Sequence, residues 1–198
     1  MNPLSSKALF LLLVGYLGNA NDGFQGSSRL TVENQIATND SLNHAVRLEL
    51  RRTMRSRTFN NPKSVRIDPG GKYAYVNNLE GLNTAVIDVQ TGQIRKTIHH
   101  TGKPVEIAFT GGGRYVWISY FRLLEEGYPR ELGDEREYRF PSVVVVYDTV
   151  EQKLIARVPV GIIPKVLAVS PDEQHVFVAN WRSQSVSIVD GNTFRVLK

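Results

Sequence analysis

Few residues of this chain have the types and spacing that catalysis or metal binding requires. His99 and His100 are adjacent, and adjacent residues of a strand point to opposite sides, so the pair rarely binds one metal ion. The chain has no cysteine, which excludes disulfides, thiolate metal sites and cysteine nucleophiles. It contains no GxSxG elbow, no HExxH motif and no P-loop. We therefore predict no catalytic residues, no metal site and no cofactor, which favours a non-enzymatic protein.

Basic residues are concentrated in one short segment. Arg47–Arg57 contains five arginines and one glutamate, in a chain of net charge +5 and pI of about 9.5. Such a cluster could bind phosphates, or it could form a solvated edge strand whose charges prevent aggregation between sheets. No aromatic residue for base stacking lies among the arginines. Nucleic-acid binding through the Arg47–Arg57 strand is therefore an alternative that the sequence does not favour.

The rest of the chain is dominated by an internal repeat. Similar segments begin at Pro62, Pro104 and Pro164, and read PKSVRIDPGGKYAYVNN, PVEIAFTGGGRYVWISY and PKVLAVSPDEQHVFVAN. A second similar stretch in each copy ends in aspartate, at Asp88, Asp148 and Asp190. We expect these aspartates to accept backbone hydrogen bonds in the turn that follows. The repeat period is 42 residues, and the middle copy carries 18 additional residues.

Each copy contains four predicted strands. Val, Ile, Tyr and Phe alternate with polar residues, and turn sequences rich in glycine or aspartate separate the runs. A period of about 40–45 residues with four strands is typical of a β-propeller blade. The predicted fold is therefore all-β, an incomplete β-propeller of about three four-stranded antiparallel blades. An aromatic column at Tyr75, Trp117 and Phe177 is expected to pack between blades.

The repeat resembles the YVTN-type β-propeller repeat. The segments that carry the resemblance are DPGGKYAYVNN, SPDEQHVFVAN and the strand SIVD, and it extends over about residues 60–198. The middle copy departs from the pattern, with TGGG as its turn and ISY in place of VNN. The resemblance implies about seven blades, so we expect either a fragment that lacks further blades or several chains that close one ring. It also implies two enzymatic alternatives, a lactonase-like or a haem-bearing propeller whose active residues lie in missing blades.

The predicted organisation has three parts. Residues 1–20 resemble an export signal, with a lysine, a short apolar run and small residues at a cleavage site. Residues 21–43 are predicted to be a polar linker. Residues 44–198 form the partial propeller, with blades at about 62–103, 104–163 and 164–198 and an insertion at 122–139. We expect an exported protein that is periplasmic, on the cell surface or secreted, and that does not span a membrane.

A binding surface is predicted where the strand connections face the mouth of the central channel. In a propeller blade, the connection between the second and third strands and the connection to the next blade lie on the same face. The insertion at 122–139 is expected on this face as well. Residues in connections often carry function, while the repeat carries the fold. The expected partner is a protein or a surface glycan, and nucleic acid is not expected. The candidate contact residues are Asn77, Asn78, His99, His100, Lys103, Tyr120, Arg122, Tyr128, Asn180, Trp181 and Arg182.

Overall fold

The computed structural model describes residues 53–125 and 139–197. The chain divides into two units, residues 1–53 and 54–198, and all the elements below belong to the second. The predicted signal segment, the predicted linker and Tyr128 lie outside the described residues. The strands are β1 (Pro62–Ile67), β2 (Tyr73–Asn78), β3 (Asn83–Asp88), β4 (Ile94–His99), β5 (Gly102–Thr110), β6 (Tyr115–Leu123), β7 (Ser142–Asp148), β8 (Lys153–Val160), β9 (Pro164–Val169), β10 (His175–Asn180) and β11 (Ser185–Asp190).

These strands form three antiparallel sheets in chain order. The first sheet is β1-β2-β3-β4, the second is β5-β6-β7-β8, and the third is β9-β10-β11. Val196 adds an isolated antiparallel bridge to Val189, which marks the predicted start of a fourth strand in the third sheet. Strand β5 lies beside both β1 and β9, so the first strand of each sheet is its inner strand. The architecture confirms the prediction of an all-β fold made of successive propeller blades.

The strand register repeats from sheet to sheet. Pro62 lies opposite Asn78, Pro104 opposite Tyr120 and Pro164 opposite Asn180. The register shifts beside each of these pairs, as at a β-bulge. A proline lacks the N–H that continuous pairing would need, which explains why Pro62 and Pro164 begin their strands and Pro104 lies near the start of β5, each beside an irregularity.

The aspartates that end the third strands fix the turns after them. The side chain of Asp88 accepts a hydrogen bond from the Thr91 backbone N–H (2.9 Å), and that of Asp190 accepts one from the Thr193 N–H (2.7 Å). These backbone hydrogen bonds lower the pKa of both carboxyl groups. Burial opposes the shift at Asp148, but the backbone N–H of Glu151 (3.0 Å) and other donors outweigh it, and the pKa of Asp148 is also lowered. The predicted turn role is confirmed in all three copies.

Two apolar layers hold neighbouring sheets together. The first sheet packs on the second through a cluster that includes Tyr75 and Ile118, and the second packs on the third through Trp117 and Val178. Tyr75 and Trp117 of the predicted column are buried in these layers. Phe177 has the same place in its repeat but is 38% exposed, because no described sheet covers that side of the third sheet.

The structure differs from two sequence expectations. The described part of the arginine-rich segment, residues 53–57, forms no strand, and Arg55 and Arg57 are exposed there. The prediction of an edge strand is therefore wrong for this part, and the other three arginines lie outside the described residues. Strand β6 extends through Leu123, two residues into the segment predicted as an insertion. Within residues 53–125 and 139–197, no helix is long and apolar enough to cross a membrane.

Candidate functional site

The predicted contact residues that the structure describes, all of the set but Tyr128, lie at one end of the sheets, which we call the loop face. It comprises the strand ends and connections at β2–β3, β4–β5, the end of β6, β8–β9 and β10–β11. Contacts between separate connections confirm that these ends adjoin. The His100 N–H donates to the Leu82 carbonyl oxygen (2.9 Å), and the Leu124 N–H donates to the Thr101 carbonyl oxygen (3.0 Å).

A buried chain of polar side chains runs from the first sheet into the second. Thr84 Oγ1 donates to Asn77 Oδ1 (2.6 Å) and also lies 2.7 Å from His100 Nε2. The Tyr120 hydroxyl lies 3.0 Å from His100 Nδ1. Because Thr84 has one hydroxyl hydrogen, which Asn77 accepts, Nε2 of His100 donates to Thr84. In the neutral imidazole, Nδ1 then accepts a hydrogen bond from the Tyr120 hydroxyl.

Electrostatics favour the same protonation state. Burial, together with the charge of neighbouring His99, lowers the pKa of His100 from 6.5 to about 4. Burial likewise raises the pKa of Tyr120. Both ring nitrogens of His100 are engaged in hydrogen bonds, so ligation of a metal or haem iron by His100 would require this chain to break. No group of three or more His, Asp or Glu in the described ranges is placed to hold a metal ion.

An ion pair joins the start of the second sheet to the first. Lys103 Nζ lies 2.7 Å from Glu80 Oε1 and 2.8 Å from Oε2, with the lysine side chain only 6% exposed. A lysine is rarely this buried without a partner, because removal of its charge from water costs free energy. The neighbouring Gly102 lies so close to Tyr120 that an added Cβ would overlap the ring. The Lys103–Glu80 ion pair therefore holds the start of β5 against the first sheet, and Gly102 allows the Tyr120 ring to approach the backbone there.

Lys165 lies between two aromatic rings on the same face. Its Nζ is 5.0 Å from the centre of the Trp181 ring and 5.4 Å from that of Phe121. Burial lowers the pKa of Lys165, and the charge of Lys63 lowers it further. Neither lysine forms an ion pair with a described carboxylate. The indole of Trp181 remains 62% exposed, so this lysine–aromatic cluster presents an uncovered ring beside two positive charges.

The structure separates the predicted contact residues into buried and exposed groups. The exposed ones are His99, Trp181 and Arg182. Three buried amide atoms, Asn77 Nδ2, Asn78 Oδ1 and Asn180 Oδ1, have no hydrogen-bond partner among the described residues. Such atoms usually pair with water or a ligand. The buried residues of the set are Asn77, Asn78, His100, Lys103, Tyr120, Arg122 and Asn180.

Lys63 and Phe121 belong to the same surface but were not among the predicted contact residues. Lys63 follows Pro62 as Lys165 follows Pro164, so the lysine after the repeat proline was the available signal. Phe121 follows directly on the YVWISY strand segment and occupies the same repeat position as Trp181. Its contact with Lys165 of another sheet could not be derived from the repeat.

Comparison with known proteins identifies the fold alone. No family model and no curated protein matches the chain. Among solved structures, hydrazine synthase from Kuenenia stuttgartiensis aligns with a TM-score of 0.58 at 16% identity, over 75% of this chain and 38% of that one. A candidate 6-phosphogluconolactonase from Bacteroides fragilis aligns with a TM-score of 0.53 at 16% identity, over 69% and 38%.

A third similar structure carries no functional description. It is a protein of unknown function from Desulfotomaculum acetoxidans, with a TM-score of 0.57 at 14% identity, over 78% of this chain and 46% of that one. The chain thus spans between 38% and 46% of the length of these three structures. The similar structures support a propeller-type fold, and at this identity they transfer no activity.

Proposed function

We propose that this chain is part of an exported, non-enzymatic binding protein of the YVTN-type repeat family. In this proposal the loop face binds an acidic segment of a partner protein, with Trp181 and Lys165 at the centre of the contact. The signal-like residues 1–20 support export, and the repeat segments at Pro62 and Pro164 support the family. The lysine–aromatic cluster supports the choice of partner.

The exposure of Trp181 is the observation that carries the proposal. Tryptophan is among the residues most enriched at the energetic centres of protein interfaces, because it combines a large apolar surface with an N–H donor. Here the ring is 62% exposed although Lys165 lies against it. A partner that covers the indole would gain apolar burial without displacing any described side chain from its core.

The positive charges near Trp181 favour an acidic partner. Lys63 and Lys165 lie close enough for the charge of one to depress the pKa of the other, so an added negative charge between them is favoured. Glutamate or aspartate side chains provide that charge and leave the Lys103–Glu80 ion pair intact. An acidic peptide segment therefore fits the cluster better than a neutral or basic one.

Tryptophan fluorescence tests the proposal, because the chain has two tryptophans in opposite environments. Trp117 is fully buried, whereas Trp181 is exposed and reports on the loop face. Titration of the full chain with an oligoglutamate peptide should give a saturable change in emission and protect Trp181 from acrylamide quenching. Trp181→Ala and Lys165→Ala should each weaken peptide binding, measured by calorimetry, about tenfold or more, which corresponds to about 1.4 kcal/mol.

Matched controls separate a specific contact from general charge attraction. Lys153→Ala removes an exposed lysine that pairs with Glu151 at the other end of the sheets, and it should leave the affinity unchanged. An oligolysine peptide should not protect Trp181. Equal loss of affinity in Lys153→Ala and Lys165→Ala would refute a site at the loop face, as would a peptide that binds without affecting Trp181.

The lactonase-like alternative has one observation in its favour. A phosphorylated lactone, the substrate named for the similar Bacteroides protein, is an anion that Lys63 and Lys165 could attract. Hydrolysis of 6-phosphogluconolactone by the full chain, faster than the spontaneous reaction and lost in Lys165→Ala, would favour that alternative over a binding protein. A haem-bearing propeller would instead show a visible absorption band in the purified protein.

A further inference from the structure

A recess lies at the end of the sheets opposite the loop face, between the first and second sheets. It has a volume of about 440 Å³, within the range of about 300–1,000 Å³ typical of small-molecule sites. We call it the turn-end cleft, because the β1–β2, β5–β6 and β7–β8 turns surround it. The residues that line it include Asp68, Tyr73, Tyr75, Lys96, Tyr147 and Gln152.

The lining combines aromatic rings with groups of both charges. Tyr73 and Tyr75 come from β2, and Tyr147 faces them from β7 of the next sheet. Asp68 contributes a carboxylate and Lys96 an ammonium group to the cleft. Arg95 also lines it, with its guanidinium paired to Asp88 (3.2 Å). Rings offer flat apolar walls, while the charged groups offer an acceptor and a donor for hydrogen bonds. A ligand that satisfies both needs an apolar face and several polar groups that can donate as well as accept.

The Tyr147 hydroxyl shows where a polar ligand group belongs. Tyr147 is 5% exposed, and its hydroxyl is buried with no hydrogen-bond partner among the described residues. A buried hydroxyl without a partner destabilises the folded state, and such atoms in native proteins commonly meet water or a ligand. Tyr147 lines the cleft, but its hydroxyl oxygen has almost no accessible surface, so a hydroxyl group of a bound molecule would supply the missing partner after a small shift of a neighbouring side chain.

Neighbouring contacts fix the groups around this hydroxyl. Asp68 Oδ1 accepts a hydrogen bond from the Tyr73 backbone N–H (2.7 Å), and Lys96 Nζ donates to Gln152 Oε1 (3.0 Å). The same ammonium lies 5.2 Å from the centre of the Tyr147 ring. Burial, followed by the charge of Asp68, raises the pKa of Tyr75 to about 12, so that its hydroxyl remains protonated.

We propose that the turn-end cleft binds a neutral saccharide. Its hydroxyl groups can donate to Asp68 and accept from Lys96 while one of them pairs with Tyr147. Its C–H faces can pack on the tyrosine rings. Because Arg95 is paired with Asp88, the remaining charges of Asp68 and Lys96 balance, and the cleft has no net charge that would select an ion. An apolar ligand would leave the Tyr147 hydroxyl without a partner. The site is separate from the loop face, so the proposal stands independently of the acidic partner.

Saturation-transfer NMR on the full chain tests the proposal with three named probes, methyl β-glucoside, N-acetylglucosamine and maltose. At least one should show transfer at millimolar concentration, and benzoate should not compete with it. Tyr147→Phe removes one hydroxyl and nothing else from the cleft. It should weaken binding of that probe about tenfold, the effect of one lost hydrogen bond, while the melting temperature stays equal or rises.

Tyr115→Phe is the matched control. Tyr115 begins β6 as Tyr73 begins β2, but it does not line the cleft, so its substitution should leave saccharide binding unchanged. The proposal is overturned if none of the three probes shows transfer, or if Tyr147→Phe binds them as the unsubstituted chain does. Equal losses in Tyr147→Phe and Tyr115→Phe would also overturn it, because the effect would then not come from the cleft.

Discussion

The stability of the fold should decrease in mild acid because of one residue, His100. The ring is buried, and its Nδ1 accepts a hydrogen bond from Tyr120 while its Nε2 donates to Thr84. Protonation would turn the accepting nitrogen into a donor, from which Tyr120 would have to accept, and would place a charge in a buried environment. The unfolded chain has no such restriction, so it binds the proton near pH 6.5, while the folded chain does not until about pH 4.

The size of the effect follows from the difference between the two pKa values. Between these values the unfolded state binds more protons, so the free energy of unfolding rises with pH. The His100 contribution is fully present above pH 6.5 and is lost as the pH falls toward 4. The complete loss amounts to about 3 kcal/mol, and about 2 kcal/mol of it falls between about pH 7.5 and pH 5. A loss of this size is a large fraction of the stability of a typical domain.

Urea unfolding at a series of pH values measures this loss, with fluorescence of buried Trp117 as the signal. The neighbour His99 provides a matched control, because it is exposed and adjacent in sequence. His100→Gln should be less stable at neutral pH but should lose most of the pH dependence above pH 5. His99→Gln should keep most of it, since burial is the larger cause of the His100 shift. If both variants retain the full slope, or if the unsubstituted chain shows none, the buried neutral histidine is refuted.

Three other predictions concern the packing and the turns. Trp117→Ala, which empties the layer between the second and third sheets and removes the indole donor to Thr110, should cost about 3–5 kcal/mol in urea unfolding. Gly102→Ala should cost about 1–3 kcal/mol or more, because the new methyl group would overlap the Tyr120 ring; a normal melting temperature would contradict this. Because the folded-state pKa of Asp148 is lowered, its contribution should be present above about pH 4 and lost as the pH falls through the folded value. Asp148→Asn should flatten that part of an acid titration followed by circular dichroism.

The local features of the fold could be predicted from the sequence. The register of Pro62 and Pro164 and the turn hydrogen bonds of Asp88 and Asp190 depend on residues close in the chain. The same residues recur in each copy, so one physical explanation serves all of them. The opposite placement of His99 and His100 agrees with the expected alternation, but which of the two is buried was not predicted.

The contacts between copies could not be predicted in the same way. Tyr75 and Tyr147 meet in the turn-end cleft although they occupy different positions in their repeats. Their proximity depends on how one sheet stacks on the next, which the repeat period does not encode. The placement of Lys165 against Phe121 has the same cause. The burial of Lys103 was also missed, because a lysine is normally exposed and its partner Glu80 follows a strand of the neighbouring sheet.

The central claim is that three successive blades stack, with the second blade between the first and the third. Amide hydrogen exchange of the full chain tests this claim most directly. Strands β6 and β7 are buried on both faces, whereas β1 has no buried residue and β11 has one. The stacked arrangement predicts the slowest exchange in β6 and β7 and much faster exchange in β1 and β11. Exchange in β1 or β11 as slow as in β6, or fast exchange throughout β7, would contradict the arrangement.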